Sequence, residues 1–133
     1  MEESCLRISV GKGKHRVQLA LLLAGKDIVT VISGGDHPHV GAVAVAISRP
    51  SRKNPDKLSA TSSTFTLVGH KDDVVAKSAS EELARELNRV VVVSAGIHLN
   101  NASEIDIQEL VQNSQRAVKK AINILKKRTD LKS

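Results

Sequence analysis

Apolar and polar residues alternate strictly from Cys5 to Val10, with Leu6, Ile8 and Val10 opposing Cys5, Arg7 and Ser9. A period of two predicts a strand with one covered face. After the turn signal Gly11-Lys12-Gly13, residues 14–23 read as a second strand that becomes wholly apolar. The break Ala24-Gly25-Lys26-Asp27 then leads to β-branched residues at 28–32, a third strand ended by Gly34-Gly35. Residues 40–47 form a fourth apolar run whose small side chains permit close packing against a helix or a ligand. A fifth strand, rich in Ser and Thr, spans 62–68 and stops at Gly69. Residues 48–60 carry Pro50, Pro55 and basic residues and read as a mobile loop.

The period then changes. Val75, Ala79, Leu83 and Leu87 lie four apart, which predicts a helix over Asp72–Leu87 with Asp72 as N-cap and Asn88 as a left-handed stop. Four consecutive valines inside residues 89–95 predict a buried strand. Ser103 opens a second helix, with Asp106 as its capping-box partner. Its stripe runs through Ile107, Leu110, Val111, Ala117, Val118, Ala121, Ile122 and Leu125, and it fades near Lys127. The expectation is one α+β domain over residues 1–133, with a mixed, mainly antiparallel sheet of about six strands and two helices packed on it. The helix between the last two strands implies a parallel, right-handed crossover. Two helices leave apolar sheet surface uncovered, so a homodimer is expected.

Composition narrows the function. Phe65 is the only aromatic residue, so the core must be aliphatic. Lys and Arg total 20 against 14 Asp and Glu, a net charge of +6. Nucleic acid is nonetheless not expected, because single-strand readers stack bases on aromatic side chains. The cations also gather where loops and helix C-termini hold them without a partner. Cys5 is the sole cysteine, which excludes an intrachain disulfide and a cysteine-based zinc site. No apolar run approaches the ~20 residues of a membrane span. The acidic start Glu2-Glu3 lacks the basic opening of a signal peptide, so a cytoplasmic location and no membrane association are expected.

The chemistry concentrates in histidines. Gly34-Gly35-Asp36-His37-Pro38-His39 follows the third strand, Gly69-His70-Lys71-Asp72-Asp73 the fifth, and Gly96-Ile97-His98-Leu99-Asn100-Asn101 the valine strand. Each alone is an ordinary strand end. Three together, on strands whose C-termini share one sheet edge, predict a joint site there. His15 is expected on the sheet surface, outside it. The site would combine Gly34, Gly35, His37, His39, His70 and His98 with Lys71 and the helix start at Asp72, a setting suited to phosphate. A divalent metal on His39, His70 and His98 is the other chemistry open to these residues, although their spacing matches no strong metal motif. No catalytic nucleophile stands out: Cys5, Ser33 and Ser94 lack a local base or elbow motif. A small metal-dependent hydrolase or lyase using the His/Asp cluster and an interaction module without a small ligand are the rival readings.

At these segments the chain resembles the LpdD-like family of prenylated-flavin chaperones. The resemblance runs from about residue 14 to about residue 125. It is most specific at Gly34-Gly35, Pro38-His39-Val40-Gly41-Ala42-Val43-Ala44, Gly69-His70-Lys71-Asp72-Asp73 and Ala95-Gly96-Ile97-His98 with Asn100-Asn101-Ala102. It implies a carrier, not an enzyme. The cofactor would be prenylated FMN or FMN, taken from a flavin prenyltransferase and handed to a UbiD-like decarboxylase. Gly41 and Asn100 join the expected flavin site on this resemblance. Asn100 replaces an acidic residue of the family pattern and brings no charge. Lys71, the glycine amides and the helix start would hold the phosphate, and the run from Val40 to Ala46 would lie against the ring.

Overall fold

Strand β1 (Cys5–Val10) leads through one 3-10 turn, Gly13–His15, into β2 (Val17–Ala24) and β3 (Asp27–Gly35). Then come β4 (Ala42–Pro50), β5 (Leu58–Thr66), α1 (Asp72–Leu87), β6 (Val91–His98) and α2 (Glu104–Lys126). The computed structural model describes residues 4–67 and 71–128. The six strands form one sheet in the order β1-β2-β3-β6-β4-β5, and only the β3–β6 pair is parallel. This is the α+β fold with a mixed, mainly antiparallel sheet that the periodicities predict.

Both helices cover the same face, α1 over β4, β5 and β6 and α2 over β1, β2 and β3. The core between them is aliphatic: Leu19, Leu21, Ile28, Ile32, Val91 and Val93 of the sheet meet Leu83, Val118 and Leu125 of the helices. Strand β4 offers only Ala42, Ala44 and Ala46, all fully buried, and α1 contributes Ala76, Ala79 and Ser80. Small residues on both sides let the backbones approach without leaving voids.

Four expectations change. Strands β4 and β5 pair in unbroken register from Ala42↔Thr66 to Pro50↔Leu58, so the expected long loop at 48–60 shrinks to residues 51–57. Polar residues at a sheet edge form a ladder without showing apolar alternation, and Pro50 sits at the strand end, where a missing amide costs least. Strands β5 and β6 do run parallel, since each is antiparallel to β4, but β4 lies between them. Asp72 is not the N-cap of α1: Lys71 holds that position, with no side-chain capping bond, and Asp72 is the first helical residue. His15 is not on the sheet surface, because it belongs to the 3-10 turn and donates to Asp106 Oδ1 at 2.7 Å. The capping box of α2, Ser103 with Asp106, and the left-handed Asn88 both form as the sequence indicates.

Among the described residues, no helix lies on the opposite face of the sheet. Leu22, Val29, Val31, Val45, Ile47 and Phe65 stand exposed on it, Phe65 most of all at 70%. Register places them together: Val29 pairs with Leu22 and Val92, Val45 with Val92, and Val43 with Phe65.

Asp106 joins the 3-10 turn to α2. His15, and after it the Ser103 amide and Lys14, hold the Asp106 carboxyl well below the usual carboxylate range. An unfolded Asp titrates near ~3.9. A folded value below that means the carboxylate stabilises the fold above the unfolded value, and the contribution is lost as pH falls through the folded value. Thermal melts should show Asp106→Asn less stable than wild type at neutral pH, with the gap narrowing steadily as pH falls below about 5. A gap unchanged as pH falls would remove Asp106 from this role. Ser103→Ala should cost about 1 kcal/mol through loss of the cap.

Candidate functional site

The parallel β3–β6 pair brings Gly35 opposite His98. Beyond Gly35 the chain crosses over the end of β6. The Asp36 and His37 amides both donate to the His98 carbonyl, at 2.7 and 3.2 Å, and the Gly41 amide donates to Ala95 at 2.9 Å. This crossing leaves no room for side chains beneath it. A Cβ on Gly96 would overlap the His39 carbonyl, and one on Gly35, at φ +77°, would overlap the His98 carbonyl.

The crossing gathers the imidazoles. The His37 and His98 ring centroids are 5.6 Å apart, and those of His39 and His98 6.4 Å. Asn100 bridges the first pair: its amide nitrogen is 3.2 Å from His37 Nε2 and its oxygen 3.2 Å from His98 Nε2. The Asn100 backbone amide donates to Asp36 Oδ2 at 3.2 Å, which fixes the bridge in place. His39 turns the other way. Its Nδ1 donates to the His37 carbonyl at 3.0 Å, and its Nε2 lies 3.1 Å from Asp72 Oδ2. Asp72 is 3% exposed, and its Oδ1 accepts from the Ile97 amide at 3.0 Å. The first turn of α1 is thereby tied to the end of β6.

Below these groups lies a cavity of about 270 Å³. Val75, Ile97, Leu99, Ile107, Leu110 and Val111 wall it, and His39, Lys71, Asp72 and His98 supply its polar groups. An apolar chamber with a few converging polar groups is the usual form of a small-molecule site. It is slightly below the usual ~300–1,000 Å³, so it takes part of a nucleotide-sized ligand and leaves the rest outside.

Of the residues singled out from sequence, Gly34, Gly35, His37, His39, Gly41, Lys71, Asp72, His98 and Asn100 all lie along this edge. His39, Lys71, Asp72 and His98 line the cavity, while His37 and Asn100 form the rim network. His70 and Gly69 fall outside the described residues, and with them one arm of the expected metal set. Among the described residues, no three His, Cys, Asp or Glu side chains are grouped to hold a metal ion. The run ending at Ala46 does not offer its small face to a ring, because Ala42, Ala44 and Ala46 are buried on the face that α1 covers. The Gly41 amide is likewise engaged, by Ala95. Sequence reasoning missed the cavity walls. Ile107, Leu110 and Val111 belong to a helical stripe that reads as core, and nothing in the sequence sets them apart from it; in the structure Ile107 and Val111 are half-buried.

A family model described as the prenylated flavin chaperone LpdD-like domain matches residues 11–126. Protein LpdD of Lactiplantibacillus plantarum is 26% identical over 93 residues, which cover 70% of this chain and 65% of that protein, just under two thirds of its length. A chain in the crystal structure of a novel chaperone complex for yeast 20S proteasome assembly superposes with a TM-score of 0.56 at 19% identity, covering 97% of this chain and 99% of that one. That likeness concerns the fold. None of the described helices is long and apolar enough to cross a membrane.

The crossing over Gly96 is the most constrained point of the site. Gly96→Ala should destabilise the fold by at least about 2 kcal/mol, because backbone and not a flexible side chain must move. Gly13→Ala is the control: Gly13 has φ +58° and open space around it, so only the left-handed conformation opposes the change, at about 1 kcal/mol. Urea denaturation of both variants checks this, and equal costs would mean that the crossing is not held as described.

Proposed function

We propose that the protein carries a flavin cofactor, from the premise that the chain belongs to the prenylated flavin chaperone LpdD-like domain family. On this reading it binds prenylated FMN, or FMN itself, received from a flavin prenyltransferase. It then delivers the cofactor to a UbiD-like decarboxylase and performs no catalysis of its own. The observation that carries the reading is the cavity at the strand C-termini, walled by apolar side chains, with its polar groups drawn from the segments most specific to the family. The residues fit such a group. The aliphatic walls suit a flat ring, and the volume admits the ring system while the phosphate stays outside.

Phosphate needs a cation, and Lys71, an exposed residue of the cavity lining, supplies it. The first turn of α1 serves phosphate poorly, because Asp72 and Asp73 already answer its dipole with negative charge. Lys71 is exposed, so its pairing with phosphate is a surface interaction of modest strength, which suits a protein that must release its cargo. A spectrum taken after co-expression with a flavin prenyltransferase tests the carrier reading directly. Protein that stays colourless and binds no added FMN would end it. In a titration, Lys71→Ala should weaken FMN about three-fold and leave riboflavin, which lacks the phosphate, nearly unchanged. Rising salt should weaken FMN and not riboflavin. Equal losses for both ligands would reject phosphate anchoring by Lys71.

The uncovered sheet face favours a second copy of the chain as its occupant. Five or six strands at ~4.8 Å spacing, each contributing about five residues, make a face of roughly 25 by 17 Å. That is the upper range of patches left bare on monomers. Covered in both copies, it approaches the ~1,000 Å² at which stable interfaces begin. Sedimentation should give twice 14.3 kDa for wild type and 14.3 kDa for Val45→Glu, which sets a charge in the middle of the face. Wild type sedimenting at 14.3 kDa over a wide concentration range would reject the dimer.

A further inference from the structure

One buried atom in the cavity has no hydrogen-bond partner. Asp72 Oδ2 is shielded from solvent, on a side chain only 4% exposed, while its twin Oδ1 holds the Ile97 amide. Leaving such an oxygen unsatisfied in the interior is costly, and more so when it is charged. His39 Nε2 stands 3.1 Å away but without hydrogen-bond geometry. Its other ring nitrogen faces the His37 carbonyl, which can only accept, so the ring proton belongs on Nδ1. His39 is thus an ion-pair neighbour of Oδ2 and not an aligned donor, and the hydrogen-bonding capacity of Oδ2 stays open at the cavity wall.

We infer that the Asp72 carboxylate is the recognition group of this cavity, and that its Oδ2 accepts the N–H of an imide on the edge of a flat heterocycle. The inference rests on the carrier reading and fixes which end of the ligand goes in. A flavin ring carries one imide N–H, flanked by two carbonyls, on the edge remote from its fused benzene ring. With that edge at Asp72, the apolar walls face the ring, and the ribityl phosphate leaves near Lys71. The opposite orientation would set a phosphate against a buried carboxylate, two like charges in a poorly solvated chamber. A lone divalent cation fits less well, since it needs four or more ligands and the described part of the cavity offers one carboxylate and two imidazoles.

The test compares riboflavin with riboflavin methylated on the imide nitrogen, on wild type and on Asp72→Asn, by titration with and without chelator. The Asn oxygen keeps an acceptor for the Ile97 amide, so the tie between α1 and β6 has a replacement. Wild type should bind the methylated ligand about ten-fold more weakly, equivalent to about 1.4 kcal/mol. In Asp72→Asn the two ligands should differ by no more than about two- to three-fold. A readout on wild type alone guards against an unfolded variant: nitrogen-labelled riboflavin should show its imide proton shifted downfield and slow to exchange when bound. Flavin binding with equal affinity for both ligands, or with a freely exchanging imide proton, overturns the assignment to Asp72 and leaves the carrier reading standing. Loss of binding on chelation assigns Oδ2 to a metal instead. Absence of any flavin binding overturns both.

Discussion

Two parallel strands side by side must both release their chains at the same edge of a sheet, and each exit needs space. Strands β3 and β6 are the only such pair here, and they sit at the centre of the sheet. The β3 exit is pressed across the β6 exit, and the crossing is possible because residues 35 and 96 are glycine. Everything polar at the site hangs from that crossing. It turns His39 towards Asp72, sets His37 beside His98, and places Asn100 where it can join them. The backbone geometry comes first, and the chemistry follows from where it leaves the side chains.

The packing on the covered face explains why a chamber exists at all. Helix α1 beds onto the alanines of β4, a contact that closes fully because both surfaces are flat. Helix α2 lies over the other half of the sheet, on larger side chains such as Leu19 and Leu21. Between the first turns of the two helices, past the end of β6, no side chain among the described residues fills the space. Ala102 stands there, and the nearest bulky groups, Ile107 and Leu110, form walls. In a chain with a single aromatic residue the gap stays open.

Much of this was legible in the residues. The helices declared themselves by period, and α2 by its capping box, since those signals are local and need no partner. The meeting of the segments at Gly35–His39 and Gly96–Asn100 was legible because parallel strands fix where their ends must go. The β4–β5 hairpin was not: Ser48, Arg49 and Ser59 lie on an edge ladder, where hydrogen bonds hold polar residues that periodicity counts as loop. The role of Asp72 was hidden for a different reason. An acid at a helix start reads as a cap, and nothing local reveals that its carboxylate is drawn inward by an amide 25 residues away. The cavity walls were hidden because an apolar stripe facing empty space looks the same in sequence as one facing a core.

The scarcity of aromatic side chains has a consequence for light. A chain whose only aromatic is Phe65, exposed on the far face of the sheet, absorbs almost nothing in the near ultraviolet. Any chromophore in the cavity would be seen against a blank background. It would also sit among aliphatic walls, with no tyrosine or tryptophan to donate an electron to its excited state. A bound fluorophore in such a chamber is spared the quenching that aromatic sandwiches impose, so its emission would report directly on whether it is held or has been passed on.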